Sequence, residues 1–252
     1  MARLDGKIAL ISGGAQGMGA SHARAIVKNG GSVVIGDLDD EAGTRIVESL
    51  GARARFVHLD VRSSTDWSRA IEVAKREFGG LNVLVNNAGV LRFSGIEECT
   101  DDEWDFVLGI NLTGTFKGIR AAASALRESS PSSIINISST AGLKGFSGFT
   151  AYGASKWGIR GLTKNISLEL ASQGIRVNSV HPGNVKTNMI DGVYSDYSHV
   201  PQNRPGDPEE ISNLVVYLAS DESSFSTGSE FTADGGETTG LPPINGTQSS
   251  SN

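Results

Sequence analysis

Short β-branched runs alternate with longer amphipathic stretches along most of the 252 residues. This alternation is typical of parallel strands joined by crossover helices, which pack on the sheet. It therefore predicts a single α/β domain, with a doubly wound parallel sheet of about seven strands and helices on both faces. Strands are predicted over residues 7–12, 32–37, 55–58, 83–86, 133–137, 176–181 and 230–233, and helices over 17–29, 40–50, 65–78, 101–127, 152–172 and 208–220.

Start signals and low-complexity segments divide the chain further. Thr100 with Glu103 fits a capping box, and Asp207-Pro208 followed by Glu210 fits another helix start. Residues 1–239 are predicted to form the domain, and 240–252 a flexible tail. The connection over about 184–206 is unusually long, and a loop of this length in a compact domain is often a lid over a site.

Composition excludes several classes of function. The chain is 38% hydrophobic and 20% charged, as in a soluble globular protein, and its net charge of -6 argues against binding to nucleic acid. A single cysteine, Cys99, excludes an internal disulfide, and four dispersed histidines give no metal-ligand spacing. These observations together predict a protein without a metal site. The apolar run near the N-terminus is too short for a signal peptide or a membrane span, so a cytoplasmic protein is expected.

A glycine-rich turn follows the first predicted strand and leads directly into a helix. Its sequence is Ser-Gly-Gly-Ala-Gln-Gly-Met-Gly over residues 12–19. Glycines let the backbone approach a pyrophosphate closely, and the free amides and dipole of the helix N-terminus favour its negative charge. The turn therefore predicts a dinucleotide site with contacts from Gly13, Gln16, Gly17, Met18 and Gly19.

The second predicted strand ends at Asp37, eighteen residues after Gly19. A dinucleotide-binding fold places an acid here against the adenosine ribose hydroxyls, where it would repel the 2′-phosphate of NADP. Neither Gly36-Asp37-Leu38-Asp39 nor Gln16 offers a cation for that phosphate, so NAD(H) is expected to be preferred over NADP(H). The alternative is that Asp37 is a solvated residue at a strand end.

Tyr152 and Lys156 are four residues apart and would share one face of a helix. Lowering a tyrosine pKa from about 10 to about 7 takes roughly 4 kcal/mol of phenolate stabilisation, at about 1.36 kcal/mol per unit. A nearby ammonium, helped by the positive nicotinamide of NAD+, has the right size of effect. The spacing alone is common on exposed helices, so the pair needs further context.

That context is a set of motifs in the order and spacing of one family. The set comprises the glycine loop, Asp60, Asn86-Asn87-Ala88-Gly89, Asn111, Ser139 thirteen residues before Tyr152, Lys156 and Pro182-Gly183. From about Leu4 to Gly236 the chain resembles the short-chain dehydrogenase/reductase family, which implies a Rossmann-type fold and NAD(H)-dependent oxidoreduction at an alcohol or ketone carbon. Ser12 departs from the family's usual threonine but keeps the hydroxyl.

The resemblance implies a role for each matching residue. Ser139 would hydrogen-bond the substrate oxygen, Tyr152 would transfer the proton, and Lys156 would lower the tyrosine pKa and hold the nicotinamide ribose. Asn111 would support a water relay. The further cofactor contacts that it implies are Asp60, Val61, Asn87, Ala88, Gly89, Tyr152, Lys156, Pro182, Gly183, Val185 and Thr187.

Within the family, the segments 138–143, 152–158 and 177–183 are most similar to the bacterial 3α(20β)-hydroxysteroid dehydrogenases. A hydrophobic hydroxysteroid or ketosteroid is therefore the expected substrate, in a pocket of apolar and aromatic residues. The pocket is expected to contain Ser139, Leu91, Phe93, Phe146, Phe149, Met189 and Tyr194. The alternatives are a 3-oxoacyl reductase, a small-alcohol dehydrogenase, or a catalytically silent dinucleotide sensor. Family members usually form homotetramers.

Overall fold

A computed structural model describes residues 2–189 and 196–240 of the chain. Its seven strands form one sheet in the order β3-β2-β1-β4-β5-β6-β7, and every neighbouring pair is parallel. The strands are β1 (Ile8–Ser12), β2 (Ser32–Asp37), β3 (Ala54–His58), β4 (Val83–Asn86), β5 (Ser132–Ile137), β6 (Ile175–Pro182) and β7 (Glu230–Ala233). The predicted parallel α/β sheet is confirmed.

Helices cover both faces of this sheet. They are α1 (Gly17–Lys28), α2 (Asp40–Leu50), α3 (Ser64–Phe78), α4 (Asp101–Leu108), α5 (Gly114–Glu128), α6 (Thr150–Leu170) and α7 (Pro208–Ala219). Successive residues of a strand point to opposite faces, and β1 shows the result. Ile11 belongs to the core cluster that contains α1, α2 and α7 residues, whereas Leu10 belongs to the cluster with α3 and α5.

One predicted helix differs in the structure. The segment predicted as a continuous helix over 101–127 is interrupted by a π-helical turn, Gly109–Thr113, between α4 and α5. A π turn accommodates an extra residue within a helix and is common at functional sites. Here the turn contains the buried Asn111.

The capping box predicted at Thr100 and the helix start predicted at Asp207 differ in how completely their caps are formed. The Thr100 hydroxyl accepts the Glu103 backbone N–H at 3.2 Å, but the Glu103 carboxylate accepts a bond from the Ser94 hydroxyl, which draws it away from the N-cap backbone. At α7 the Glu210 carboxylate does accept the Asp207 backbone N–H, at 2.8 Å. Both helices begin at the predicted residues.

The strand order fixes where a ligand can bind. From β1 the sheet is built outward in both directions, through β2 on one side and β4 on the other. Ligands of open α/β sheets bind in the crevice outside the carboxyl ends of the strands at such a switch point. The crevice lies next to the glycine turn that follows β1. Across residues 2–189 and 196–240, no helix is both long and apolar enough to cross a membrane.

Candidate active site

A cleft of about 510 Å³ lies at the carboxyl ends of β1, β2 and β4. It brings together most of the predicted cofactor contacts, although they are distributed over five separate segments of the chain. The predicted residues that line it are Gly13, Gln16, Gly17, Met18, Gly19, Asp37, Asp60, Val61, Asn87, Ala88, Gly89 and Thr187.

The glycine turn is shaped so that its backbone can approach a ligand. Gly13 and Gly17 have positive φ values of 63° and 55°, which L side chains rarely adopt. A Cβ on Gly19 would lie 2.0 Å from the Gly13 carbonyl oxygen, so no other residue fits there. No side chain caps the start of α1, and its first turn contains no acid. The first amides of α1 are therefore available to an anion.

Asp37 lies at the end of β2, on the wall of this cleft. Its Oδ2 accepts the backbone N–H of Ala15 at 2.9 Å, and its Oδ1 accepts that of Asp39 at 3.2 Å. The carboxylate is thus fixed against the glycine turn. A second acid, Asp60, forms a bidentate pair with Arg62, and the hydrogen bond from that guanidinium is the chief cause of its lowered pKa.

Asn87 ties the segment after β4 to the glycine turn. Its Nδ2 donates to the carbonyls of Ser12 and Gly13, at 3.1 and 2.9 Å. The Ser12 hydroxyl accepts hydrogen bonds from the backbone N–H groups of Asn87 and Ala88. Serine, which stands here in place of the family's usual threonine, therefore keeps the hydroxyl that these two bonds need. Within the described part of the chain, Asn87 Oδ1 is buried without a hydrogen-bond partner. A polar acceptor left open in a glycine-lined cleft fits a dinucleotide.

A second, smaller recess of about 70 Å³ adjoins this cleft and shares Met18, Leu91, Thr187 and Met189 with it. Ser139, which follows β5, and Tyr152, in the first turn of α6, both line this recess. Pro182, Gly183 and Val185, which are predicted cofactor contacts, line it too. The recess is therefore the place where a reacting carbon would meet both a hydroxyl and a phenol.

The Ser139 hydroxyl accepts the Ala141 backbone N–H at 3.1 Å. Because an accepted bond leaves the hydroxyl proton free, Ser139 can still donate to a ligand oxygen in the recess. Behind it, His181 Nδ1 lies 3.1 Å from the Ser139 carbonyl, and His181 Nε2 lies 2.9 Å from the Ser179 hydroxyl. Burial lowers the His181 pKa, so the neutral ring donates one bond and accepts the other. His181 is thus a packed residue whose two ring nitrogens both have hydrogen-bond partners.

Tyr152 is largely buried, with its ring edge-on to Phe149 at a centroid distance of 5.6 Å. Lys156 Nζ lies 5.5 Å from the Tyr152 ring centroid, so the i, i+4 pair does share one face of α6. Lys156 is buried and donates to the Ile137 carbonyl at 3.0 Å. Its burial lowers the Lys156 pKa to about 8.

The π turn directs Asn111 toward the same centre. Asn111 Oδ1 accepts the Val90 N–H at 2.8 Å, and its Nδ2 donates to the Val90 carbonyl and to the Ser155 hydroxyl, each at 3.0 Å. A Cβ on Gly89 would lie 3.4 Å from Asn111 Oδ1 and 3.5 Å from Lys156 Nζ. Asn111, Lys156 and the segment after β4 therefore meet at Gly89.

The predicted substrate residues divide into three groups. Leu91, Phe146, Phe149 and Met189 line the recess. Phe93 lines the larger cleft, is 54% exposed, and contacts Phe149 edge-on at 5.1 Å. Tyr194 lies outside the described residues.

Three charged residues of the site were not predicted from the sequence. Arg62 and Arg92 line the larger cleft, and Glu237 lines the recess. The only available signal was position, because each closely follows a strand whose carboxyl end meets the site. In the described ranges, no group of three His, Cys, Asp or Glu residues is placed to hold a metal ion.

A family model described as "Enoyl-(Acyl carrier protein) reductase" matches residues 13–238. The "3-alpha-(or 20-beta)-hydroxysteroid dehydrogenase" of Mycobacterium tuberculosis is 54% identical over 95% of this chain and 92% of that protein. The chain therefore belongs to the short-chain dehydrogenase/reductase family. "Trans-4-hydroxycyclohexanecarboxylate dehydrogenase" of Sinomonas cyclohexanicum is 47% identical over 94% of this chain and 95% of that protein. "Cyclopentanol dehydrogenase" of Comamonas testosteroni is 37% identical over 94% of this chain and 99% of that protein.

The buried ammonium of Lys156 should destabilise the folded chain at neutral pH. The folded-state pKa of about 8 lies below the ordinary 10.5, so the unfolded chain binds more protons between these values and stability rises with pH there. Lys156→Met lacks this group. We expect the unfolding free energy of Lys156→Met minus that of the wild type to fall by about 2 kcal/mol between pH 7 and pH 10, because only the wild type gains stability from deprotonation of Lys156. Urea unfolding of both proteins at both pH values measures this, and a pH-independent difference would contradict it.

Proposed function

We propose that this short-chain dehydrogenase/reductase is an NAD(H)-dependent enzyme that interconverts a secondary alcohol and a ketone. One observation carries the proposal: Ser139 and Tyr152 face one recess, Lys156 lies against the Tyr152 ring, and the recess adjoins a glycine-lined cleft. The relatives are dehydrogenases named for cyclic alcohols and hydroxysteroids, which supports the same reaction type.

In the proposed reaction, NAD+ held in the larger cleft would supply the hydride acceptor for the alcohol carbon. The Ser139 hydroxyl donates a hydrogen bond to the substrate oxygen and so orients the reacting carbon. Tyr152 takes the hydroxyl proton during oxidation and returns it during ketone reduction. The Lys156 ammonium stabilises the phenolate that this transfer needs. Asn111, fixed to Val90 and Ser155, would support a water relay that exchanges the proton with solvent.

The dinucleotide would be held along the larger cleft. The glycine turn and the uncapped start of α1 suit the pyrophosphate, and the open acceptor Asn87 Oδ1 suits a ribose hydroxyl, which can donate to it. Asp37 suits the ribose hydroxyls and would repel a 2′-phosphate, which favours NAD(H) over NADP(H). Two cations in the cleft lining could oppose this preference, but Asp60 already binds the Arg62 guanidinium, and the Arg92 guanidinium lies over the Phe106 ring.

The finer proposal for the substrate is a hydroxysteroid or ketosteroid. It is supported by the 54% identity to a hydroxysteroid dehydrogenase and by the apolar wall of Leu91, Phe146, Phe149 and Met189. A smaller cyclic alcohol is a second candidate. It is favoured by the recess of about 70 Å³, which is small for a ligand site, and by the relatives named for single-ring alcohols.

Two other functions remain less well supported. A 3-oxoacyl reductase would usually use NADPH, which Asp37 disfavours. A dinucleotide sensor without catalysis would not need the complete set of Asn111, Ser139, Tyr152 and Lys156.

A panel of hydroxysteroids and single-ring secondary alcohols, each offered with NAD+ or NADP+, tests cofactor and substrate together. We expect reduced cofactor to form with NAD+ and a steroid alcohol, at a higher kcat/KM than with NADP+. Activity on single-ring alcohols without any activity on hydroxysteroids would rule out the steroid proposal and leave the proposed mechanism intact. Faster turnover with NADP+ would contradict the role given to Asp37.

We further propose that the enzyme is a homotetramer that pairs through α4, α5 and α6. Large apolar side chains are exposed on these helices, namely Trp104, Phe116, Trp157 and Leu168, the last of which is 81% exposed. Apolar groups of this size on neighbouring helices are typical of an association surface. Sedimentation velocity should give a species of four chains, and a monomer at micromolar concentration would refute the assembly.

A further inference from the structure

Glu237 is a buried carboxylate at the proposed substrate site. It lies four residues after the end of β7, in a turn next to the loop that follows β6, and its side chain is only 2% exposed. It lines the same recess as Ser139 and Tyr152. None of the catalytic roles described above uses it.

Only half of this carboxylate is satisfied. Glu237 Oε1 pairs with Lys144 Nζ at 3.2 Å, and the Lys144 side chain is 40% exposed. Within residues 2–189 and 196–240, Glu237 Oε2 is buried and has no hydrogen-bond partner. A buried acceptor without a partner is costly, and such atoms are rare unless a ligand or water completes them.

The surroundings make this oxygen distinctive. The recess wall is otherwise formed largely by apolar and aromatic groups, among them Leu91, Phe146, Phe149 and Met189. Glu237 is the only acid in the described lining. An anionic oxygen on an apolar wall discriminates strongly between ligands, because it gains from a hydrogen-bond donor and repels a second anion.

We propose that Glu237 is a specificity-determining residue that accepts a hydrogen bond from a second hydroxyl group of the substrate, close to the reacting carbon. This inference rests on the proposed alcohol dehydrogenase function and narrows its substrates to uncharged cyclic diols and hydroxyketones. An alcohol without the second hydroxyl leaves Oε2 unpaired, and a ring that carries a carboxylate at that position is repelled. Lys144 pairs with the other carboxylate oxygen, Oε1, and so takes no part in this bond.

Three probes of one ring size isolate the second group: trans-1,4-cyclohexanediol, cyclohexanol and trans-4-hydroxycyclohexanecarboxylate. For each, kcat/KM is measured with NAD+ and corrected for the number of equivalent hydroxyls. We expect the wild type to prefer the diol to cyclohexanol and to use the carboxylate least. In Glu237→Met, which cannot accept the bond, the preference for the diol should fall about tenfold or more, equivalent to at least about 1.4 kcal/mol.

Two further variants separate the hydrogen bond from the ion pair. Glu237→Gln keeps a neutral acceptor and should retain part of the preference for the diol. Lys144→Gln breaks the same ion pair from the other side, leaves Oε2 in place, and should keep the preference close to the wild-type value. The dissociation constant of NAD+ is measured for every form and should not change.

Each contrary outcome has a defined meaning. The inference is overturned if Glu237→Met keeps the preference for the diol, or if Glu237→Met instead weakens the binding of NAD+. It is also overturned if the wild type prefers trans-4-hydroxycyclohexanecarboxylate to the diol. If NAD+ binds but none of the three probes is oxidised, the affinities of the enzyme–NADH complex for the diol and for cyclohexanol are measured by calorimetry. Equal affinities overturn the inference. Absence of oxidation of any alcohol, steroids included, is the separate failure of the proposed function.

Discussion

Parallel pairing of the central strands, fixed by a row of buried polar residues, is the constraint on which the site depends. Ser12, Asn86, Asn136 and Ser179 stand opposite one another in β1, β4, β5 and β6. Asn86 donates to Asn136 at 2.8 Å, and Asn136 donates to the Thr163 hydroxyl of α6 at 2.9 Å. A slip of one residue would break these bonds and turn every side chain to the other face.

That register sets the level at which the functional residues leave the sheet. Asn87 follows β4, Ser139 follows β5, and His181 near the end of β6 reaches the Ser139 carbonyl. The bond to Thr163 also anchors α6, whose first two turns carry Tyr152 and Lys156. Tyr152, the proposed proton-transfer residue, and Ser139, proposed to bind the substrate oxygen, are therefore placed by the same buried contacts.

The site concentrates polar groups that a purely structural core would avoid. Lys156 is a buried ammonium with one carbonyl partner, and Asn87 and Glu237 each keep a buried oxygen without a partner in the described residues. Buried groups of this kind reduce stability and persist where a ligand completes them or where their altered acidity is used. The apolar contacts on both faces of the sheet supply the stability that tolerates them.

The sequence predicted the fold closely because strand and helix periods and glycine positions are local signals. Strand limits agree to within one residue at each end, and the glycine turn, Asp37, Ser139 and Tyr152 all meet at the predicted edge. The π turn at Asn111 was missed, since it depends on tertiary bonds to Val90 and Ser155. Glu237 was missed for a similar reason: its burial follows from the packing of the turn after β7 against the loop after β6, which no local pattern encodes.

The most direct test of the proposed hydride transfer is to follow hydrogen from substrate to cofactor in the wild type and in Tyr152→Phe. A secondary alcohol oxidised in the panel is deuterated at its carbinol carbon and offered with NAD+, and the NADH formed is analysed by mass spectrometry. We expect deuterated NADH from the wild type, and almost no NADH from Tyr152→Phe although that variant still binds NADH. Undeuterated NADH, or undiminished turnover by Tyr152→Phe, would contradict it.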